Sequence, residues 1–190
     1  PASGVDNDII EVLNNQIYVA DTQHRNVYVS ANDDYTDFTF SSPRTPGQGV
    51  LLTLDSTPNG FAVQENAMYI SAGTSDWYQT VLTLSSDLLN ESLTVDKLNS
   101  GPQQAAKEQS LIGKMKNSIV YISNEPTFDF LGRVENIITP QSRPISDPIK
   151  VDFETKSFSG GHIKYYKNKT YIAAPTEGLV YIYDNERRYW

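Results

Sequence analysis

Four segments of this chain share one grammar, in which an apolar stretch runs into a polar turn containing Asn and leaves it as a β-rich stretch with an aromatic. They read Leu13-Asn14-Asn15-Gln16-Ile17-Tyr18-Val19, Gln64-Glu65-Asn66-Ala67-Met68-Tyr69-Ile70, Met115-Lys116-Asn117-Ser118-Ile119-Val120-Tyr121 and Tyr166-Lys167-Asn168-Lys169-Thr170-Tyr171-Ile172. The turn residues Asn15, Asn66, Asn117 and Asn168 follow one another at three equal intervals of 51 residues. Asn suits a tight hairpin because it tolerates positive φ and closes a local hydrogen bond. Tyr, Ile and Val alternating with Ala, Ser and Thr are what a half-buried strand requires.

A third strand-like run follows in each unit: Val27-Tyr28-Val29, Val81-Leu82-Thr83-Leu84 and Val180-Tyr181-Ile182-Tyr183, with Arg133-Val134-Glu135-Asn136-Ile137 in that place in the third. Residues 50–54 and 149–153 read as outer strands. A repeat of about 50 residues built from three or four antiparallel strands has the size of a kelch-type propeller blade and exceeds the WD type. The chain is therefore expected to be all-β: a β-propeller or partial propeller of about four blades, with an antiparallel β-sandwich as the alternative. A sandwich does not require even spacing. The expected organisation is one domain over residues 1–190, with units at 9–57, 58–107, 108–158 and 159–190, the last lacking a clear outer strand.

Two kinds of stretch interrupt the pattern. Residues 85–110, with Leu88, Leu89, Leu93 and Gln103-Gln104-Ala105-Ala106-Lys107-Glu108, predict a short helix that Gly101-Pro102 would open. Residues 41–49 and 139–144 are rich in Pro, Ser and Gly and predict loops that leave the ladder.

Composition narrows function. The chain has no Cys, which excludes a disulfide scaffold and a Cys-built zinc module. Fifteen basic against twenty-three acidic residues, a formal charge of −8, argue against a surface that grips phosphate backbones, so no specific nucleic-acid binding is expected. No apolar run approaches the roughly 20 residues of a membrane helix, so a soluble chain is expected. It begins at Pro1 and reads as a processed chain or a piece of a longer one.

The chemistry-bearing residues form no familiar catalytic motif, and neither an enzyme nor a cofactor or metal site is expected. His24 and His162 stand 138 residues apart, with no carboxylate or second His at ligand spacing. The runs Asp6-Asn7-Asp8 and Asn32-Asp33-Asp34-Tyr35-Thr36-Asp37 offer hard oxygens but lack the Gly and terminal Glu of an EF-hand, and read as Asx turns. Asp21, Glu125 and Asp184 are the carboxylates a hydrolase would use on a central axis, and Trp77 is the candidate stacking platform for a sugar. Asn90-Glu91-Ser92 and Asn168-Lys169-Thr170 match the glycosylation sequon.

Several phrases after the repeat turns carry a resemblance. Val27-Tyr28-Val29-Ser30-Ala31-Asn32-Asp33-Asp34-Tyr35-Thr36-Asp37-Phe38 and Val120-Tyr121-Ile122-Ser123-Asn124-Glu125-Pro126-Thr127-Phe128-Asp129-Phe130 resemble the strand, Ser, acidic turn and aromatic phrases of propeller-containing tail proteins of short-tailed bacteriophages, of the tubular or nozzle class. Arg143-Pro144-Ile145-Ser146-Asp147-Pro148-Ile149 and Ala174-Pro175-Thr176-Glu177-Gly178-Leu179-Val180-Tyr181 are similar in style. That resemblance implies a structural virion protein of the tail, partnered by other virion proteins and by its own copies in a ring around the DNA exit channel. Such proteins are usually much larger. The second functional reading is a glycan- or protein-binding propeller engaged in host-surface recognition.

Overall fold

The computed structural model describes residues 9–40, 45–84, 91–98, 104–115, 118–124, 127–134, 137–140 and 144–190. The fold is all-β, with four antiparallel sheets and little helix. The first sheet holds β1 (Ile9–Leu13), β2 (Gln16–Asp21), β3 (Asn26–Val29) and β4 (Val50–Thr53), and the second holds β5 (Pro58–Gln64), β6 (Ala67–Ala72), β7 (Asp76–Leu84) and β8 (Glu91–Lys97). The third holds β9 (Ile112–Met115), β10 (Ser118–Ile122), β11 (Phe128–Val134) and β12 (Ile137–Pro140), and the fourth β13 (His162–Tyr166), β14 (Lys169–Ala174) and β15 (Leu179–Asp184). Every sheet is a meander in which each strand pairs with the next in sequence.

The opening hairpins show why Asn recurs. Leu13 pairs with Gln16, Gln64 with Ala67 and Tyr166 with Lys169, leaving two residues to reverse the chain. Both take positive φ: Asn14 and Asn15 at 50° and 59°, Glu65 and Asn66 at 50° and 61°, Lys167 and Asn168 at 47° and 62°. Positive φ at both central positions is the type I′ signature, whose twist matches that of the strands it joins. Asn117 lies outside the described residues, but Met115 pairs with Ser118 and leaves the same two-residue gap.

The chain divides into two compact units, residues 1–98 and 99–190. In the first, strand alternation sends Ile9, Leu13, Ala20, Val27 and Leu52 of one sheet and Phe61, Met68, Ile70 and Tyr78 of the other into one core. In the second, Val120, Ile122 and Phe128 join Ile163, Ile172 and Ala174, and the core is completed by Leu111, Phe153 and Phe158 from connecting segments. Each buried Val, Leu, Ile, Phe or Met among them contributes roughly 1.5–3 kcal/mol. Equivalent strands meet within each unit: β1 lies against β5 and β4 against β8, and β9 lies against β13.

Three expectations need correction. Residues 91–97 form β8 and no helix: Leu93 and Val95 pair with Leu82 and Thr80 of β7 and reach the first core, a gain that outweighs the high helix propensity of Leu, worth only on the order of tenths of a kcal/mol per residue. Further on, Ala106 bridges Ser123 in extended geometry and the only helical turn among the described residues of this stretch is the 3₁₀ segment Gln109–Leu111, while Gly101, Pro102 and Gln103 lie outside the described residues. Residues 149–153 are not an outer strand. Pro148 in the 3₁₀ turn Asp147–Ile149 leads into α1 (Lys150–Phe153), which turns Phe153 into the core and Val151 out. The outer strand of the third sheet is β12 instead, and Thr139 and Pro140 belong to it; Pro140 is tolerated at an edge, where its missing N–H is not needed.

Candidate functional site

The carboxylates proposed for an axis act locally. The Asp21 carboxylate accepts the backbone N–H groups of Gln23 and His24 at 3.0 Å and sits 2.9–3.0 Å from Nδ1 of His24, so a carboxylate does accompany this histidine, from three residues upstream. Asp184 caps its own turn by accepting the N–H groups of Glu186 and Arg187, which hold its carboxyl below the usual range. Glu125 lies outside the described residues, as do Asp6, Asn7, Asp8 and Asn90. Asp34 and Asp37 cap turns through the hydroxyl and N–H groups of Thr36 and Thr39, and those bonds lower both carboxyls. Among the described residues no three His, Asp or Glu side chains gather as a metal site, and no helix is long and apolar enough to cross a membrane.

Trp77 is fully buried in β7 and presents no stacking face. His162 is exposed at the start of β13. In the second sequon, the Asn168 side-chain oxygen accepts the Tyr165 hydroxyl at 2.8 Å and Thr170 is buried. A cavity of about 180 Å³ opens in the first unit, lined by Asn14, Asn32 and Asn66 together with Leu13 and Leu93.

Two polar clusters escaped the sequence reading: one joins Ser56 and Ser75, between strands, to Asp76 of β7 and Lys97 of β8, and the other gathers Ser123 and Thr127, between β10 and β11, with Asp129 of β11. Asp76 bonds Lys97 Nζ at 2.9 Å and accepts the Ser56 and Ser75 hydroxyls, which together hold it below the usual carboxylate range despite its burial. In the second unit Ser123, Thr127 and Asp129 form a chain with O···O distances of 2.7 and 2.5 Å. Burial pushes the Asp129 carboxyl up, with Asp147 adding repulsion and the Thr127 hydroxyl opposing.

The feature most open to a partner is the last sheet. β15 reads Leu-Val-Tyr-Ile-Tyr-Asp, and alternation turns Tyr181 and Tyr183 inward. Tyr181 stacks near Phe153 and Trp190, at centroid distances of 5.1 and 6.2 Å, and donates its hydroxyl to Asp152 at 2.7 Å. Burial, reinforced by that bond, drives the phenol well above its ordinary range. Trp190 rests 5.2 Å from Tyr183 and donates its indole N–H to the Ile145 carbonyl.

Among the described residues, the first three sheets each have a fourth strand, whereas β15 is the edge of a sheet of three. The Asp184 N–H turns away from β14 to the Tyr189 carbonyl, and the Asn185 N–H reaches Asn168. Antiparallel alternation then points the N–H and C=O groups of Val180 and Ile182 along the open edge. Among the described residues only the Asp184–Tyr189 bridge lies on that edge. Leu179, Val180 and Ile182 leave much of their apolar surface in solvent there, with no Pro, bulge or inward charge on the strand to blunt it. The chain matches no protein-family model and no curated protein sequence.

Proposed function

We propose that this chain is a structural virion protein of a bacteriophage tail, acting through contacts with other virion proteins and its own copies rather than through catalysis. In this reading the 51-residue repeat is a propeller-type blade, and the chain supplies a propeller or partial propeller of about four blades. The meander order of all four sheets and the meeting of equivalent strands within each unit support the blade reading. The observation that carries the assembly reading is the apolar edge of β15, because an exposed edge of this kind is a pairing liability unless another chain covers it. The tail-protein phrases quoted from the sequence add the virion context.

Mass spectrometry of purified virions from the phage that encodes this chain tests the reading. Recovery of the chain at a fixed stoichiometry to other tail components is the expected result, and its absence from intact particles overturns it. The glycan-binding reading rests on the cavity of the first unit lined by three Asn side chains, whose neutral lining suits a polyol better than an ion. Saturable binding on a glycan array, lost in Asn14→Ala and Asn66→Ala, would establish it in place of the assembly role.

A further inference from the structure

The first and the fourth sheet each carry exposed apolar residues on the face turned away from the core of their unit. In the first sheet, Ile9 and Leu13 turn into the core while Ile10 and Val12 stay 58% and 50% exposed, on the face that also carries the half-buried Tyr28 and Leu51 and, already buried, Val19. In the fourth sheet, Ile163 and Ile172 turn inward while Val180 and Ile182 stay 60% and 46% exposed. The register places Lys164 and Tyr171 beside Ile182, and Lys169 and Tyr166 beside Asp184, on that open face. Both faces therefore combine β-branched surface with an aromatic, as the centre of a protein interface does.

Their charge differs. Residues 1–98 hold three Lys or Arg against thirteen Asp or Glu, a formal charge of −10, whereas residues 99–190 hold twelve against ten, a charge of +2. The face of the fourth sheet carries Lys164 and Lys169 against the single carboxylate of Asp184, which Lys169 already neighbours. An apolar, cationic face is complemented by an apolar face on an acidic unit, and the first unit of this chain, at a formal charge of −10, carries one. Opposite charge fixes which faces meet and raises the encounter rate, while the apolar centre supplies the binding.

We propose that the open face of the first sheet in one copy docks on the open face of the fourth sheet in a second copy, giving a head-to-tail interface. Such a contact is heterologous: it joins two different patches and propagates into a ring or a filament according to its rotation. Lys164 and Lys169 steer the acidic unit of the next copy, and Val180 and Ile182 bury against Ile10 and Val12. The proposal rests on the assembly reading above, and names its partner.

Sedimentation velocity over a range of concentrations tests it with two variants, Val12→Lys and Ile182→Lys. The unmodified chain is expected to gain mass with concentration from 21.3 kDa. Each variant alone, with unchanged far-UV circular dichroism, is expected to associate at least roughly 10-fold more weakly, because a lysine cannot be buried unpaired at the junction. An equimolar mixture is then expected to restore a dimer and nothing larger, since the Ile182→Lys copy keeps its first-sheet face and the Val12→Lys copy its fourth-sheet face. Recovery in the mixture also shows that neither variant lost its fold. A chain that stays monomeric at every concentration, a variant that alone dimerises as the unmodified chain does, or a mixture that stays monomeric overturns the docking. A monomer that is nevertheless present in virions overturns this interface and leaves the assembly reading standing, whereas a head-to-tail oligomer absent from virions does the reverse.

Discussion

Phe153→Ala, set against Val151→Ala, separates a helical turn from a strand at residues 149–153. Were these residues extended, positions 151 and 153 would share a face and the two truncations would cost similar amounts. In α1 they point apart: Val151 is 85% exposed and Phe153 is 0% exposed. The Phe153 ring lies 4.5 Å from Phe158, 5.1 Å from Tyr181 and 5.7 Å from Trp190, so its removal opens a cavity among aromatics that are themselves pinned. The Tyr181 hydroxyl is tied to Asp152 and the Trp190 indole to Ile145, which limits collapse into the space. Truncation of a buried Phe costs about 3–5 kcal/mol, and the restraint places this site toward the upper part of that range. Val151→Ala costs no more than about 0.5 kcal/mol. Against a total stability of about 5–15 kcal/mol, the first loss is a large share. Urea unfolding followed by Trp190 fluorescence in a Trp77→Phe background reads both, and the thermal midpoint of Phe153→Ala is expected to fall by more than about 10 °C. Equal costs for the two variants, or a Phe153→Ala cost below about 1 kcal/mol, would refute the helical-turn argument.

Further outcomes follow from the turns, the close contacts and the buried acid. Asn66→Gly is expected to hold stability within about 0.5 kcal/mol while Asn66→Ala costs about 1 kcal/mol, since only the latter strains φ at 61°; urea midpoints decide it. Gly161→Ala would place a Cβ 2.4 Å from the Ala173 carbonyl oxygen and 2.7 Å from that of Phe158, both backbone, so a loss above about 2 kcal/mol is expected in thermal unfolding. Asp129 has its folded carboxyl raised above the unfolded value, so the stability it contributes in acid is lost as pH rises through its folded pKa. Asp129→Asn keeps an acceptor for Thr127 and removes that loss: the variant should be the more stable form at neutral pH, with the advantage vanishing below about pH 4, as unfolding curves across pH will show.

How much of this was legible follows from where each determinant sits. The 51-residue recurrence predicted hairpins because a type I′ turn is chosen by two adjacent residues, and Asn15, Asn66 and Asn168 all take the positive φ that favours Asn there. Residues 91–97 were misread because leucine serves helix and strand alike, and the choice fell to β7, whose Leu82 and Thr80 lie across from Leu93 and Val95. Residues 149–153 were misread for the converse reason: their alternation fits a strand, but the aromatic pocket of the second unit takes Phe153 only from a turn.

For the candidate site, sequence alone determined that β15 would be apolar and alternating, and that the chain carries more acid than base. Tertiary structure alone decided which face of β15 is spent on Phe153 and Trp190, which backbone groups of Val180 and Ile182 reach the open edge, and that Lys164 and Lys169 share the face with Ile182 and Asp184. The division has one physical cause. Backbone conformation at a tight turn is a local property of two residues, whereas burial, register and the grouping of charges are set by partners many residues away, brought together only when the sheets form.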